Sequence, residues 1–382
     1  MPALDGLRVI AAASVVIYHV MGATYGANPT AGVLFPSAAF LFFVISGYVI
    51  YRPFTASHLA GNAPPDLRRF YRSRVLRVLP LWWIAVAAYS VVEPGQQLHT
   101  AGQWIATLAL LQYPWREIRY AVIGPAWALS VEWIFYLTAP LLALAVRTQR
   151  RRHFRSTSPV KAEAVVLSTL FVAAWLVPQA RPFAALAAGM GFAVLDVHCR
   201  QHGRPAWLRS LAGNGWFMAA VTAASWLALA HYPYREGLSV QWVERDALVV
   251  GIWTATAIAW FLPIAFGNPS RQPQKALGGG RMAFLGGLTF GIYLWHQLVL
   301  DQVIDRLGRD GSFTAILYLT VLGTMVLALV SHVLVEAPIQ RLSHPRRRAA
   351  GAGRAEPVDD AGGAIADPLT APDEPASVGS AP

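Results

Sequence analysis

The sequence predicts an all-α, polytopic membrane protein with about ten transmembrane helices, and composition is the first reason. Hydrophobic residues make up 55% of the 382 residues and charged residues only 13%, and the mean hydropathy is +0.42. Such a chain is too apolar for a soluble domain. The second reason is that the apolar residues form successive stretches of about 17 to 25, each long enough to cross roughly 30 Å of hydrocarbon as a helix.

Ten apolar stretches are predicted to span the bilayer. They lie near residues 5–25, 33–52, 76–93, 125–146, 163–179, 182–198, 214–231, 246–266, 283–301 and 313–336. A further stretch, Trp104 to Tyr113, is only about ten residues long and is interpreted as a re-entrant or interfacial segment. From Arg354 onward the chain lacks apolar periodicity, so residues 343–382 are predicted to form a disordered cytoplasmic tail behind a transmembrane domain of residues 1–342.

The placement of arginine predicts the orientation of these spans. Arginines concentrate between the second and third spans and after the fourth, and such positive segments stay in the cytoplasm. The sequence therefore predicts a multi-pass protein of the inner (plasma) membrane with both termini in the cytoplasm. The net charge of +11 reflects this placement, and we expect no nucleic-acid partner. With a single cysteine, Cys199, and no HExxH motif, we expect no metal site.

Two ionisable residues lie within the first span, "LDGLRVIAAASVVIYHV". Arg8 and His19 are eleven residues apart, which on a helix is roughly 20° from a shared face and about 16 Å along the axis. Arg8 is predicted near the cytoplasmic mouth and His19 deeper, nearer the outer side. Ionisable groups in membrane helices are functional candidates. The alternative is that Arg8 extends to the interface and His19 bonds a neighbouring helix.

Two further spans carry buried polar candidates. Glu132 lies within "GPAWALSVEWIFYLTAP" and shares a helix face with Tyr136, whereas Ser130 lies on another face and is interpreted as a packing residue. Tyr293 and His296 are three residues apart in "GIYLWHQLVL". In the predicted topology His19, Glu132 and His296 share one depth, which favours a site between helices. The alternative for His296 is an interfacial position beside an aromatic belt.

Arginines and small residues complete the set of candidates. Arg74 and Arg77 are one helical turn apart at the start of the third span, in "RRFYRSRVLRVLPLWW". They serve either to anchor the helix at the cytoplasmic interface or to clamp a phosphorylated ligand, because guanidinium groups bind phosphate bidentately. Ser46 and Gly47 in "FFVISGYVI" are interpreted as small residues that allow close helix packing.

At these residues the sequence resembles the integral-membrane acyltransferase-3 family, which includes bacterial O-antigen, exopolysaccharide and macrolide O-acyltransferases. The resemblance covers residues 1 to about 342 and begins where Arg8 and His19 match the family's basic-x10-His motif. It continues through five further segments, "FFVISGYVI", "RSRVLRVLP", "WALSVEWIFYL", "GIYLWH" and "VEAPIQR". The sequence departs from the family at Phe40, where many members have aspartate, and at Ala128, where Ser or Thr is frequent.

The resemblance implies transfer of an acyl group, commonly acetyl, from cytoplasmic acyl-CoA to a hydroxyl of a carbohydrate or small lipophilic acceptor. It implies catalytic roles for His19 and Glu132, and contacts with the acyl donor for Arg8, Arg74 and Arg77. We expect His19 to act as general base, because an imidazole titrates near neutral pH, and Glu132 to orient it.

His296 or Tyr293 is expected to donate a hydrogen bond to the thioester oxyanion. The rival hypothesis is a proton- or ion-coupled transporter that uses the same buried residues. A non-catalytic membrane scaffold is a third hypothesis, and it leaves the cost of a carboxylate in lipid unexplained.

Overall fold

A computed structural model describes residues 2–25, 35–93, 98–153, 158–213, 215–231, 246–268 and 273–343. Within these ranges the regular structure is helical, without strands. Apart from Ser343, which ends the last helix, the predicted tail lies outside the described residues.

Fourteen α-helices are described, and we number them in chain order. They are α1 Pro2–Tyr25, α2 Ser37–Leu59, α3 Leu67–Val92, α4 Ala101–Leu108, α5 Ala126–His153, α6 Pro159–Leu176, α7 Arg181–His202, α8 Ala206–Gly213, α9 Gly215–Ala230, α10 Ala247–Phe266, α11 Gln274–Leu277, α12 Gly280–Leu307, α13 Phe313–Ser331 and α14 Ala337–Ser343. A 3₁₀ turn, Pro178–Ala180, precedes α7, and a π-helical turn, His332–Glu336, joins α13 to α14.

Nine helical stretches within the described residues are long and apolar enough to cross a membrane, which confirms the predicted fold class. The predicted span 214–231 corresponds to α9, a shorter apolar helix of 16 residues. The third span was predicted to begin at residue 76, and that boundary is wrong. Asp66 caps α3 by accepting from the backbone N–H groups of Arg68 and Arg69, so the arginines assigned to a loop lie in the first turns of this helix.

The segment that follows α3 is a short helix and a turn-rich stretch of chain packed against its neighbours. Thr100 and Gln103 form a capping box at the start of α4. At the end of α4 and beyond it, the backbone is held by side chains of longer helices. The Trp82 indole donates to the Thr107 carbonyl at 3.0 Å, and the Ser130 hydroxyl donates to the Leu110 carbonyl at 2.8 Å. Ser130 therefore serves the packing of this segment.

Helix α2 is the most enclosed of the long helices and packs along α7. Gly47 and Gly189 face one another at the crossing, so the two backbones lie in contact. A Cβ atom at Gly189 would collide with the Val44 carbonyl and lie 2.9 Å from the Tyr48 backbone nitrogen. The carboxylate of Asp196 joins the same helices by accepting from the Tyr48 hydroxyl at 2.9 Å and from Arg52 Nε at 2.7 Å.

We predict that Gly189→Ala destabilises the protein by about 1–3 kcal/mol, because the added methyl group forces the two backbones apart. Gly191→Ala, in the same helix with no atom near the added Cβ, is the control and should be neutral or stabilising. Melting temperatures of the purified variants in detergent test this. Equal effects of the two substitutions would contradict the close crossing.

Candidate active site

Two imidazoles meet between α1 and α12. His19 Nδ1 lies 2.9 Å from the Val15 carbonyl oxygen, and His296 Nδ1 lies 2.7 Å from the Tyr293 carbonyl oxygen. The two rings approach with His296 Nε2 at 3.4 Å from His19 Nδ1. His296 is fully buried, whereas His19 is partly exposed. The structure thus brings together two of the residues that the sequence predicts for one site.

The contacts of this imidazole pair determine which nitrogens carry protons. A carbonyl oxygen only accepts hydrogen bonds, so Nδ1 carries the proton in both neutral rings. His19 Nδ1–H is then shared between the Val15 carbonyl and the lone pair of His296 Nε2. Among the described residues, His19 Nε2 has no hydrogen-bond partner, so its lone pair is available to a substrate.

Glu132 is held from two helices. The Tyr136 hydroxyl, one turn further along α5, donates to Glu132 Oε1 at 2.6 Å. The Ser46 hydroxyl of α2 donates to the same oxygen. A carboxylate buried between membrane helices is energetically costly unless it has hydrogen-bond or charge partners. These two hydroxyl groups supply two of the hydrogen bonds that it needs.

Three arginines lie around this carboxylate. The Arg74 guanidinium stacks on the Tyr136 ring, 5.5 Å from its centroid. Arg8 forms an ion pair with Asp5, with Nη1 at 2.7 Å from Oδ1, and interacts electrostatically with Arg77 and Glu132. We call this group, with Arg8, Arg74, Arg77, Glu132, Tyr136 and Ser46, the arginine–glutamate cluster.

The structure forms no hydrogen bond between Glu132 and His19, the pairing that was expected. Within the part of the chain that the structure describes, His19 bonds Val15 and His296 and makes no hydrogen bond to Glu132. The reason is the register of α5. The Tyr293 hydroxyl donates to the Pro125 carbonyl, and Glu132 follows two turns later, roughly 10 Å along the axis. Glu132 therefore lies at the level of the arginines, and no contact among the described residues supports the expectation that it orients the His19 imidazole.

Two other expectations also change. The interfacial alternative for His296 is wrong, because His296 is fully buried and the neighbouring Trp295 is 6% exposed, with its indole bound to Ser331 Oγ at 3.1 Å. Ser46 was interpreted as a packing residue, and its bond to Glu132 was missed. The sequence carries no signal for that bond, because the partners lie 86 positions apart. The i,i+4 spacing of Glu132 and Tyr136 did indicate the hydrogen bond between these two side chains.

The long apolar helices and the polar groups between them define a polytopic membrane protein with an internal polar site. Among the described residues, no group of three His, Cys, Asp or Glu side chains is placed to hold a metal ion. Comparisons with known proteins place this architecture in a family.

A family model described as "Acyltransferase domain" matches residues 1–334. The chain is 24% identical to "Putative peptidoglycan O-acetyltransferase YrhL" of Bacillus subtilis (strain 168), over 89% of this chain and 55% of that protein, so it spans about half the length of this relative. It is 25% identical to "Nodulation protein 10" of Rhizobium leguminosarum bv. viciae, over 88% of this chain and 93% of the relative.

A third relative is "Acyltransferase MdmB" of Streptomyces mycarofaciens, which is 23% identical over 92% of this chain and 95% of its own length. No solved structure matches the chain. Because the family model covers most of the sequence, the chain belongs to the acyltransferase-3 family of membrane proteins.

We predict that Tyr136→Phe lowers the stability of the protein by about 1.5–3 kcal/mol, because Glu132 loses a hydrogen bond while the ring beneath Arg74 remains. The same substitution should have a much smaller effect in a Glu132→Ala background, since no side-chain acceptor for the Tyr136 hydroxyl remains there. Melting temperatures of the unmodified protein, the two single variants and the double variant complete this double-mutant cycle. Equal losses in the two backgrounds would contradict the bond.

Proposed function

We propose that the protein transfers an acyl group, commonly acetyl, from acyl-CoA to a hydroxyl of a carbohydrate or small lipophilic acceptor. Membership of the acyltransferase family supports the reaction class. The observation that carries the proposal is the arrangement along α1, where Arg8 belongs to the arginine–glutamate cluster and His19, eleven residues further on, belongs to the imidazole pair. An extended thioester donor likewise has its phosphates at one end and its reactive carbonyl at the other.

The arginine–glutamate cluster is proposed to hold the phosphate end of the donor. Arg8, Arg74 and Arg77 supply more positive charge than Glu132 neutralises, and guanidinium groups bind phosphate bidentately. Arg74 Nε is buried and has no hydrogen-bond partner among the described residues. This is expected of a group that donates its hydrogen bond to a ligand. In this proposal Glu132 positions Tyr136 and the arginines, and acts on the donor through them.

The imidazole pair is proposed to perform the chemistry. The lone pair of His19 Nε2 takes the proton from the acceptor hydroxyl while the oxygen attacks the thioester carbonyl. His296 Nε2 accepts the His19 Nδ1–H bond, which strengthens as His19 becomes cationic, and so has the orienting part expected earlier of Glu132. The tetrahedral intermediate expels the thiolate of CoA, which takes the proton from His19. The products are the acyl ester and free CoA.

The arginine–glutamate cluster lies towards the beginnings of α1 and α3, the ends predicted to face the cytoplasm. Acyl-CoA is therefore proposed to enter from that side of the inner membrane, with both chain termini in the cytoplasm. Tyr293 was expected to donate to the oxyanion, but its hydroxyl donates to the Pro125 carbonyl. We therefore assign Tyr293 to positioning the start of α5.

We predict that His19→Ala reduces acyl transfer by about 10²–10⁴-fold, the usual contribution of a general base, without preventing membrane insertion. His202→Ala, which removes an exposed imidazole at the end of α7, is the control. The assay follows transfer of labelled acetyl from acetyl-CoA to a panel of saccharides, together with slow hydrolysis of the thioester. Normal turnover by the His19 variant would refute this role, and proton-coupled uptake without transfer would favour a transporter.

We predict that Arg77→Gln raises the KM for acetyl-CoA by about tenfold, because one guanidinium–phosphate contact is lost. The KM for acetyl-N-acetylcysteamine, a thioester without phosphates, should not change. Arg69→Gln is the control, because Arg69 is exposed on the same helix outside the arginine–glutamate cluster. An equal rise in KM for both thioesters would show that Arg77 acts on the fold and not on the donor phosphates.

A further inference from the structure

An imidazole–carboxylate pair lies between the end of α2 and the start of α6, away from the proposed active site. His58 Nδ1 is bonded to Glu163 Oε1, and the Thr55 hydroxyl donates to Glu163 Oε2 at 2.6 Å. His58 is 6% exposed, Glu163 1% and Thr55 0%. Each carboxylate oxygen therefore has a partner from α2, and the pair holds the start of α6 against α2.

The other ring nitrogen of His58 has no such partner. His58 Nε2 is buried and makes no hydrogen bond to any described residue. Leaving a buried polar nitrogen unpaired is costly, and such atoms in native proteins are normally explained by a bound ion, water or ligand. The proposed acyl transfer makes no use of this nitrogen, so it requires a separate account.

His58 and Glu163 line a cavity between α2, α3, α5 and α6. Its volume is about 40 Å³, more than the roughly 10–15 Å³ that one water requires. The aromatic rings of Tyr51 and Phe54 form part of its wall. At its edge are Leu67 and Leu144, which are 37% and 50% exposed, so the cavity reaches the surface of the protein.

Arg147 also lines this cavity. One of its N–H groups donates to the Asn62 carbonyl, and a guanidinium carries several others. The cavity therefore offers a ligand the unpaired Nε2 of His58 and the remaining N–H donors of Arg147.

We propose that this cavity binds the phosphate group of a membrane phospholipid. In the proposed complex the phosphate oxygens accept from Arg147 and from a protonated Nε2 of His58, so that these two cations balance the charges of the phosphate and of Glu163. The exposed leucines at the edge suit the acyl chains, and the arginine-rich start of α3, with Arg68 and Arg69, lies where lipid phosphates of the cytoplasmic leaflet are expected. The proposal is independent of the acyl transfer and places a lipid where α2, α5 and α6 meet.

The test measures the melting temperature of the delipidated, full-length protein in detergent as three probes are added. The probes are phosphatidylglycerol, diacylglycerol with the same acyl chains, and inorganic phosphate. We expect phosphatidylglycerol to raise the melting temperature and diacylglycerol to have little effect. Arg147→Gln should weaken the apparent affinity for phosphatidylglycerol by about tenfold, the loss typical of one hydrogen bond to a charged group.

The matched control is Arg209→Gln, which replaces an exposed arginine of α8 that does not line the cavity, and it should leave the affinity unchanged. His58→Gln should weaken binding as Arg147→Gln does. If His58→Gln fails to fold, Arg147→Gln still tests the proposed lipid site, because it leaves the buried pair of His58 and Glu163 intact. Equal stabilisation by diacylglycerol, or equal weakening by Arg209→Gln, would overturn the site. Stabilisation by inorganic phosphate alone would overturn the lipid as its occupant.

Discussion

The close crossing of α2 and α7 is the constraint on which the position of the proposed site depends. Gly47 brings the α2 backbone against the Leu186 carbonyl of α7, and its neighbour Ser46 donates to Glu132 of α5. Adjacent residues on a helix point about 100° apart, so one turn of α2 serves both contacts. A side chain at Gly47 would displace α2 and carry Ser46 away from the carboxylate.

The packing of α1 fixes the arginine–glutamate cluster in a comparable way. Gly6 lies against the backbone of Leu277, and a Cβ at Gly286 of α12 would lie 2.7 Å from the Asp5 Cβ. Asp5 is thus held against α12 by packing while its carboxylate binds Arg8. The Arg8 side chain is therefore oriented by its ion pair with Asp5, one turn earlier, and Asp5 is in turn held by its contact with α12.

The helices could be predicted from the sequence because long apolar runs in a membrane permit little else. Boundaries were harder to predict, since Asp66 begins α3 earlier by capping a first turn that contains Arg68 and Arg69. Among the candidate residues, the meeting of His19 with His296 followed from topology and depth. Of the partners of Glu132, Tyr136 was indicated by its spacing but Ser46 was not, because Ser46 approaches from a helix far away in sequence.

The position of Glu132 beside arginines has a physical rationale. A carboxylate beside His19 would need a charge partner in a low-dielectric interior, where an unpaired ion is very costly. Near Arg8 and Arg74 that charge is compensated. In the proposed reaction a neutral His296 accepts the His19 Nδ1–H bond without introducing an ion, and His19 Nε2 stays available to the acceptor hydroxyl. The anionic end of the proposed donor and its reactive carbonyl are then bound by different groups, and α1 is the helix common to both.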